Sequence, residues 1–511
     1  MTKTIRRVLI GAGVLSCLLA IEIGWRVYVF TSSSRLKVGP DTTVVEGPVR
    51  DDGTVDFEAA LHQRSAAGIT PENNAAIPLG MAFGTALIPT NLRERYFQYL
   101  GIPEPPELDE YFVTPQAFAQ HLTQSPSRNG EKYYALLDEI GVTQLRPWKR
   151  HEHPEIFAWI EGNEPYVKLI EEASLRSHFY APLVTAEGLM NAPLPLLEEL
   201  RGAVRLLHSR AMLRIAEEDL DGASADLLTC HRLANLVGRN SVVIGNLVAI
   251  AQEATAIEGD RVWLSQPLNL EQIQRFQAVI SALPHVTDVS STIDRYERFM
   301  SLDSMQSLWR GTSSLGEPGE FLRFSRIDIN VAMRRINRHY ETLVIAMRQA
   351  GARDRLKAVQ QLDAASMTQL KEAFFASKLA GNLLWKSRTA VTEWMADIFL
   401  RLVAPATVQL QIAEERSRMR RDLLQVALAL ARYHAKFQTY PEQLEMLKPD
   451  YLQQIPIDRF INQPLHYKRL PNGYLLYSVG DDEQDENGQP REGGKPGHLA
   501  FKVIHESEPR P

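Results

Sequence analysis

The sequence predicts a mainly α protein, with an N-terminal transmembrane helix, a long helical body and a small α+β module at the C-terminus. Three observations carry this. A basic start (Lys3, Arg6, Arg7) runs into an apolar stretch. Apolar residues then recur at three- and four-residue steps over most of the chain, the period of a helix with one buried face. From Tyr440 onward the pattern changes to short alternating segments broken by Pro, Asn and Gly, as in strands and turns.

At 511 residues the chain is too long for one core and should form two or three packed units. Apolar content of 44% and charged content of 23% exclude wholesale disorder. A net charge of −6 offers no polycationic surface, so nucleic acid is not an expected partner. Of the two cysteines, Cys17 lies in the apolar stretch and Cys230 on an expected helix. They should not pair, and stability must come from packing.

Residues 1–7 read as a basic, cytoplasmic N-terminus and residues 8–30 as the anchor. Val8–Ile21 carries no charge and the apolar run continues to Phe30. As a helix it spans about 34 Å, enough for a hydrocarbon core of roughly 30 Å. Glu22 and Arg26 share a face and can pair, and Trp25 and Tyr28 suit the interfacial belt. A cleaved signal peptide begins in the same way, but no A-x-A site follows. Val14–Cys17 is only faintly a lipobox, because apolar residues continue past the cysteine. The expectation is an uncleaved signal anchor: a single-pass inner-membrane protein whose bulk is periplasmic.

Residues 31–52, polar and rich in Ser, Gly and Pro, read as a linker, residues 53–404 as the helical body and residues 405–511 as the C-terminal module. Within the body, Asp56–Ala67 should be a helix started at Thr54, and Thr70-Pro71-Glu72 should open another. Gly101–Pro106 is a rigid connector. Helices are expected near Pro115–Gln124, Gly130–Glu139, Pro154–Ile160 and Glu164–Ala173. Leu196–Asp219 and Gly222–Val237 form a pair, with Ala211, Ile215 and Ala216 facing Ala223, Leu227 and Ala234 across an Asp219–Gly222 turn. The pair looks like one tetratricopeptide-type (TPR-like) hairpin, without a second copy at the period of about 34 residues. Further helices are expected over Val242–Leu264, Asp328–Ala350, Ala364–Val403 and Val408–Phe437, with Gly311–Gly319 as a loop. Val391–Val403 is short for a second span and is interrupted by Glu393, Asp397 and Arg401, so it reads as a buried or amphipathic helix.

The tail is the most specific stretch. It reads Tyr440-Pro441, Leu444, Leu447, Pro449, Tyr451-Leu452, Pro456-Ile457-Asp458, Pro464-Leu465-His466-Tyr467 and Gly473-Tyr474-Leu475-Leu476-Tyr477-Ser478-Val479-Gly480-Asp481-Asp482. Proline ends the helix before it, the leucines pack back, and Pro471-Asn472-Gly473 turns one strand into the next. This order resembles the globular end of the major pseudopilins of type II secretion. That resemblance implies a helix-plus-hairpin module outside the inner membrane and, in the loop after the second strand, a calcium site at Asp481, Asp482 and Asp485. Oxygen donors suit that hard cation. The family's later aspartates are replaced here by Gly497-His498-Leu499-Ala500, and an EF-hand frame from Glu483 puts Gly494 where its bidentate carboxylate belongs. A solvated acidic loop is the competing reading. The chain also lacks the pilin cleavage site. Over its full length, through Asp51–Leu61, Thr70–Leu79, Arg146–Trp148 and Arg210–Arg239, it resembles a family of uncharacterised large membrane-anchored bacterial proteins. That likeness implies architecture and compartment only.

Catalytic patterns are thin. His151-Glu152-His153 precedes Pro154 and reads as a polar helix start. Cys230 and His231 point about 100° apart on a helix and cannot pair as nucleophile and base. Glu217-Glu218-Asp219 and Glu414-Glu415 read as solvated helix surface. Arg334, Arg335 and Arg338, and Arg416, Arg418, Arg420 and Arg421, read as exposed faces or ion pairs that can attract anionic lipid or polymer. The expected function is a non-enzymatic envelope scaffold or interaction protein. The alternatives are an accessory component of a secretion or pseudopilus-like assembly, and an envelope enzyme with a site drawn from His151, His153, Glu161 and Glu164. The membrane and envelope proteins are the expected partners, and no small-molecule substrate is identified.

Overall fold

Residues 34–52, expected as a free tether, are docked against a helix. Thr42 and Thr43 are fully buried, and the Asn337 side-chain amide donates to the carbonyls of Asp41 and Thr42 at 3.1 and 2.7 Å. The Asn330 side chain accepts from the Lys37 amide and donates to the Arg35 carbonyl. Their side chains satisfy backbone groups that would otherwise need water. The computed structural model describes residues 20, 23–24, 34–108, 110–123, 130–239, 241–312, 327–379, 388–403, 407–485, 487–488 and 499–505. The expected anchor over 8–30, apart from three isolated positions, therefore lies outside the described residues.

The described chain is mainly helical. Helix α1 (Phe57–Ser65) starts at Asp56, not Thr54, because the Asp56 carboxylate accepts from the Ala59 amide at 3.2 Å. Thr70-Pro71-Glu72 opens no helix. Asn73 accepts from the Thr70 amide and closes a local turn, and α2 begins only at Ala76 (Ala76–Phe83). Helices α3 (Thr90–Leu100), α4 (Pro115–Thr123) and α5 (Glu131–Thr143) follow. Helix α6 (Pro154–Ser174) is one helix where two were expected. Pro165 removes one donor, but a continuous buried face from Ile156 to Ile170 holds the helix together on both sides of it.

Helices α7 (Leu196–Ala216) and α8 (Leu220–Arg239) form the expected hairpin, with Ala211, Ala223, Leu227 and Ala234 fully buried between them. The turn lies earlier than expected. Glu218 takes φ 62°, and Asp219 caps α8 by accepting from the Gly222 amide at 2.9 Å. Helix α9 (Val243–Trp263) packs on both α7 and α8. Helix α10 (Leu270–Ala282) opens with a reciprocal capping box between Asn269 and Gln272. Helix α11 runs over residues 289–310 and contains a π-helical turn at Ile293–Glu297. Neither α10 nor α11 was read from the sequence. In α11 every residue from Arg298 to Leu308 is buried, polar and apolar alike, so no apolar stripe marks a face.

Helix α12 (Ile329–Met347) is followed by α13 (Ala352–Leu379) and α14 (Arg388–Val403), two helices where Ala364–Val403 was read as one. Gly311, in the left-handed region, closes α11, and most of the expected loop after it lies outside the described residues. Helix α15 (Thr407–Phe437) leads into two sheets. β1 (Ile457–Asp458) pairs with β2 (Gln463–Pro464), while β3 (His466–Leu470), β4 (Gly473–Ser478) and β5 (Leu499–Ile504) form an antiparallel sheet with β4 central. Leu470 pairs with Gly473 and His466 with Tyr477, so the turn is Pro471-Asn472, and Gly473, expected within it, opens β4. Asp458, fully buried, accepts from the Val479 amide at 2.8 Å and ties the two sheets together.

The C-terminal module does not own a separate core. Tyr474, Leu476, Phe501 and Val503 share one buried cluster with α2, with α5–α10 and with the Met419–Ala431 stretch of α15. A second cluster joins α1, α11, α12 and α14 to Leu410 of α15, and a third is formed by α3 with Tyr180 and Val184. Among the described residues no single helix is long and apolar enough to cross a membrane. α14 and α15 pass together, bent by 42°, but Val391, Met395, Phe399, Leu424 and Val426–Leu430 are buried in the protein.

Candidate functional site

The acidic loop distributes its carboxylates among different partners. Asp481 lies 3.3 Å from the Arg416 guanidinium, Asp482 accepts from the Gln484 amide, and Asp485 accepts from the Tyr477 hydroxyl at 3.0 Å and the Asn487 amide at 2.8 Å. Glu483 takes Arg353 at 2.9 Å. Among the described residues no group of three or more His, Cys, Asp or Glu side chains is arranged to hold a metal ion. The rest of the acidic loop expected to take calcium with Asp481, Asp482 and Asp485, namely Glu486 and residues 489–498, lies outside the described residues.

The other sequence candidates separate. His153 pairs with Glu139 at 2.7 Å, Glu164 with Arg210 at 2.8 Å, and His151 and Glu161 are exposed. Glu217 makes an exposed pair with Arg150. Glu414 and Glu415, expected at the surface, are instead buried. Glu415 accepts from Arg355 at 2.8 Å, and Glu414 from Arg418 and from the Val289 amide. Arginines and an amide supply what water would have given, so the charge run closes a core contact. Arg421 and Ser417 of α15 bind Glu253 of α9 in the same manner, both ions nearly sealed from solvent.

Between α7, α8 and α9 lies a polar cluster the sequence did not reveal as such. Cys230 is fully buried, its thiol pushed far up by burial, with only the Val204 carbonyl near at 3.9 Å. His231 pairs with Asp260 at 2.7 Å, both fully buried. The His208 ring has no hydrogen-bond partner among the described residues, and burial pulls it down to about 4. It lies against Gly259, where a Cβ would come within 2.3 Å of Nε2. Arg210 bridges Asp226, Glu164 and Glu171. Apart from His208, these groups are tied to one another or to backbone, and Cys230, His231, Asp226 and Asp260 are sealed from solvent.

An open face does exist where α12, α13, α14 and the start of α15 meet, around a cleft of about 290 Å³. Four-residue spacing aims its side chains inward: Arg335 and His339, Arg338 and Thr342, Asp397 and Arg401. Arg335 grips Asp397 with two hydrogen bonds, at 2.7 and 3.1 Å, which hold its guanidinium charged. Arg401 bonds the Asp363 carboxylate and carbonyl, each at 3.0 Å. Burial pulls His339 down from its ordinary value, opposed by the Asp397 carboxylate and reinforced by the guanidiniums of Arg335 and Arg401. Three guanidinium groups face two carboxylates, and exposed Arg338 has no side-chain partner among the described residues. Such a fork matches one carboxylate or phosphate group. The Arg334-Arg335-Arg338 cluster flagged this helix. The pairing of Arg335 with Asp397, 62 residues on, was invisible to sequence spacing.

Set against known protein families, curated proteins and solved structures, the chain matches none of them.

Proposed function

We propose that this chain is a membrane-anchored scaffold of the cell envelope. Its helical body is a fixed platform on which the arginine cleft receives an anionic group of a partner protein. The observation that carries this reading is the contrast between buried charges tied into fixed pairs and Arg338, left available in an open cleft. The TPR-like reading of α7 and α8 and an anchor over residues 8–30 belong to the same proposal, supported by the hairpin geometry and by the length of the apolar run.

Two measurements test it in cells. Alkaline phosphatase fused after Pro511 should be active, because the bulk is expected outside the cytoplasm. Activity of a cytosolic reporter alone would overturn the orientation. A photocrosslinker at Thr342, on the same wall, should give a discrete adduct with an envelope protein that Arg338→Glu abolishes. No adduct, or one indifferent to charge reversal, would remove the docking role.

A second reading, an accessory component of a pseudopilus-like assembly, is favoured by the packing of the β3–β4–β5 sheet against α15 in the order the tail motifs suggest. Neighbouring genes for a secretion ATPase and a prepilin peptidase would support it, and their absence in several genomes carrying this protein would count against it.

A further inference from the structure

An apolar cavity of about 130 Å³ lies between α2 and α3, lined by none of the residues of the arginine cleft. Ile77, Ile88, Phe97 and Leu100 supply its walls, and no lining residue carries a charge. Its space is kept by glycine. A Cβ at Gly80, inside α2, would meet nothing within 4 Å, although glycine in a helix interior is disfavoured. Gly84, at φ 89°, turns the chain out of α2 beneath the Tyr111 ring, where a Cβ would sit 2.8 Å from the ring carbons.

Two side-chain hydroxyls, those of Tyr96 and Thr85, interrupt the apolar lining. Thr85 is 4% exposed and its hydroxyl has no hydrogen-bond partner among the described residues. Leaving a buried hydroxyl unbonded costs free energy that a bound acceptor would recover. A water is a poor occupant, because it needs two to four polar partners and these walls are almost wholly apolar. A charged ligand would enter without a counter-charge. The volume is close to the roughly 150 Å³ of an engineered apolar cavity that takes benzene.

We propose that this cavity binds a small neutral molecule with an apolar body and one carbonyl acceptor, such as an aryl or short-alkyl ketone, ester or amide. The Thr85 hydroxyl donates to that acceptor, and the space left by Gly80 takes the apolar body.

The test uses the full-length chain and two fluorinated probes, 4-fluoroacetophenone and 4-fluorotoluene, followed by fluorine NMR titration. The ketone should bind saturably. Thr85→Val keeps the shape and removes the donor, so it should weaken the ketone about 2- to 10-fold and leave fluorotoluene unchanged. Gly80→Leu, which fills the space and favours the helix, should abolish binding of both while the unfolding midpoint holds or rises. Absence of saturable ketone binding would overturn the proposal. So would ketone binding that survives Gly80→Leu, or equal weakening of both probes by Thr85→Val.

Discussion

Between α9, α10 and α15, Glu253 and Arg421 are sealed together, whereas around α12–α14 the Arg335–Asp397 and Arg401–Asp363 pairs stand at the edge of a cleft that leaves Arg338 to solvent. Both regions pair an arginine with a carboxylate, and the surroundings differ. In the first, each ion replaces the other's water, so neither can be removed alone. In the second, water or a ligand can exchange at the arginine, so the charge is available for recognition.

The largest effect expected is at the sealed pair. Arg421→Met should cost about 3–5 kcal/mol in denaturant unfolding, because it leaves Glu253 buried without its counter-ion. Adding Glu253→Leu should recover most of that loss, and a double variant no better than the single would break the comparison. Next comes acidity. His208 is held at about 4 in the folded chain, against an ordinary 6.5. Below pH 6.5 the unfolded chain takes up a proton there that the folded chain refuses until about pH 4, so its contribution is lost as pH falls through that window, by about 3 kcal/mol. His208→Leu should therefore gain about that much relative to wild type between pH 7 and pH 4, measured by paired melts.

A smaller loss is expected at Gly259. Any Cβ there meets His208 and Leu227 at 2.3 and 2.5 Å, so Gly259→Ala should cost about 1–3 kcal/mol despite its better helix propensity. In the cleft, Arg338→Ala should leave stability within about 0.5 kcal/mol of wild type while eliminating the photocrosslinked adduct, the opposite pattern from Arg421. Smallest of all, a calcium chelator should not move the unfolding midpoint of the full-length chain, since arginines already occupy Asp481 and Glu483. A fall of several degrees would instead restore calcium to the acidic loop.

Much of the helical order was legible because α8, α9 and α12 bury one face and leave the other partly exposed, which writes a 3.6-residue period into the chain. The β3–β4 hairpin was legible from its Pro-Asn-Gly turn. Helix α11 was not, since it is buried all round. Nor were the buried roles of Glu414, Glu415 and Glu253, because a carboxylate inside a core reads as surface until its arginine is found elsewhere in the chain. Of the candidate cleft, the arginines of α12 stood out, and the acids that neutralise two of three cleft guanidiniums did not.

Helix α15 passes from the cluster containing Leu410 to the one containing Leu424 and Leu428, and its Arg421 closes α9 from outside. During synthesis, then, most of the polypeptide must wait. Glu253 stays hydrated on an unfinished surface until the final helix leaves the ribosome and seats against it. Chains interrupted before that point would be exposed to proteases as incomplete products, so α15 acts as the closing piece of the two larger cores.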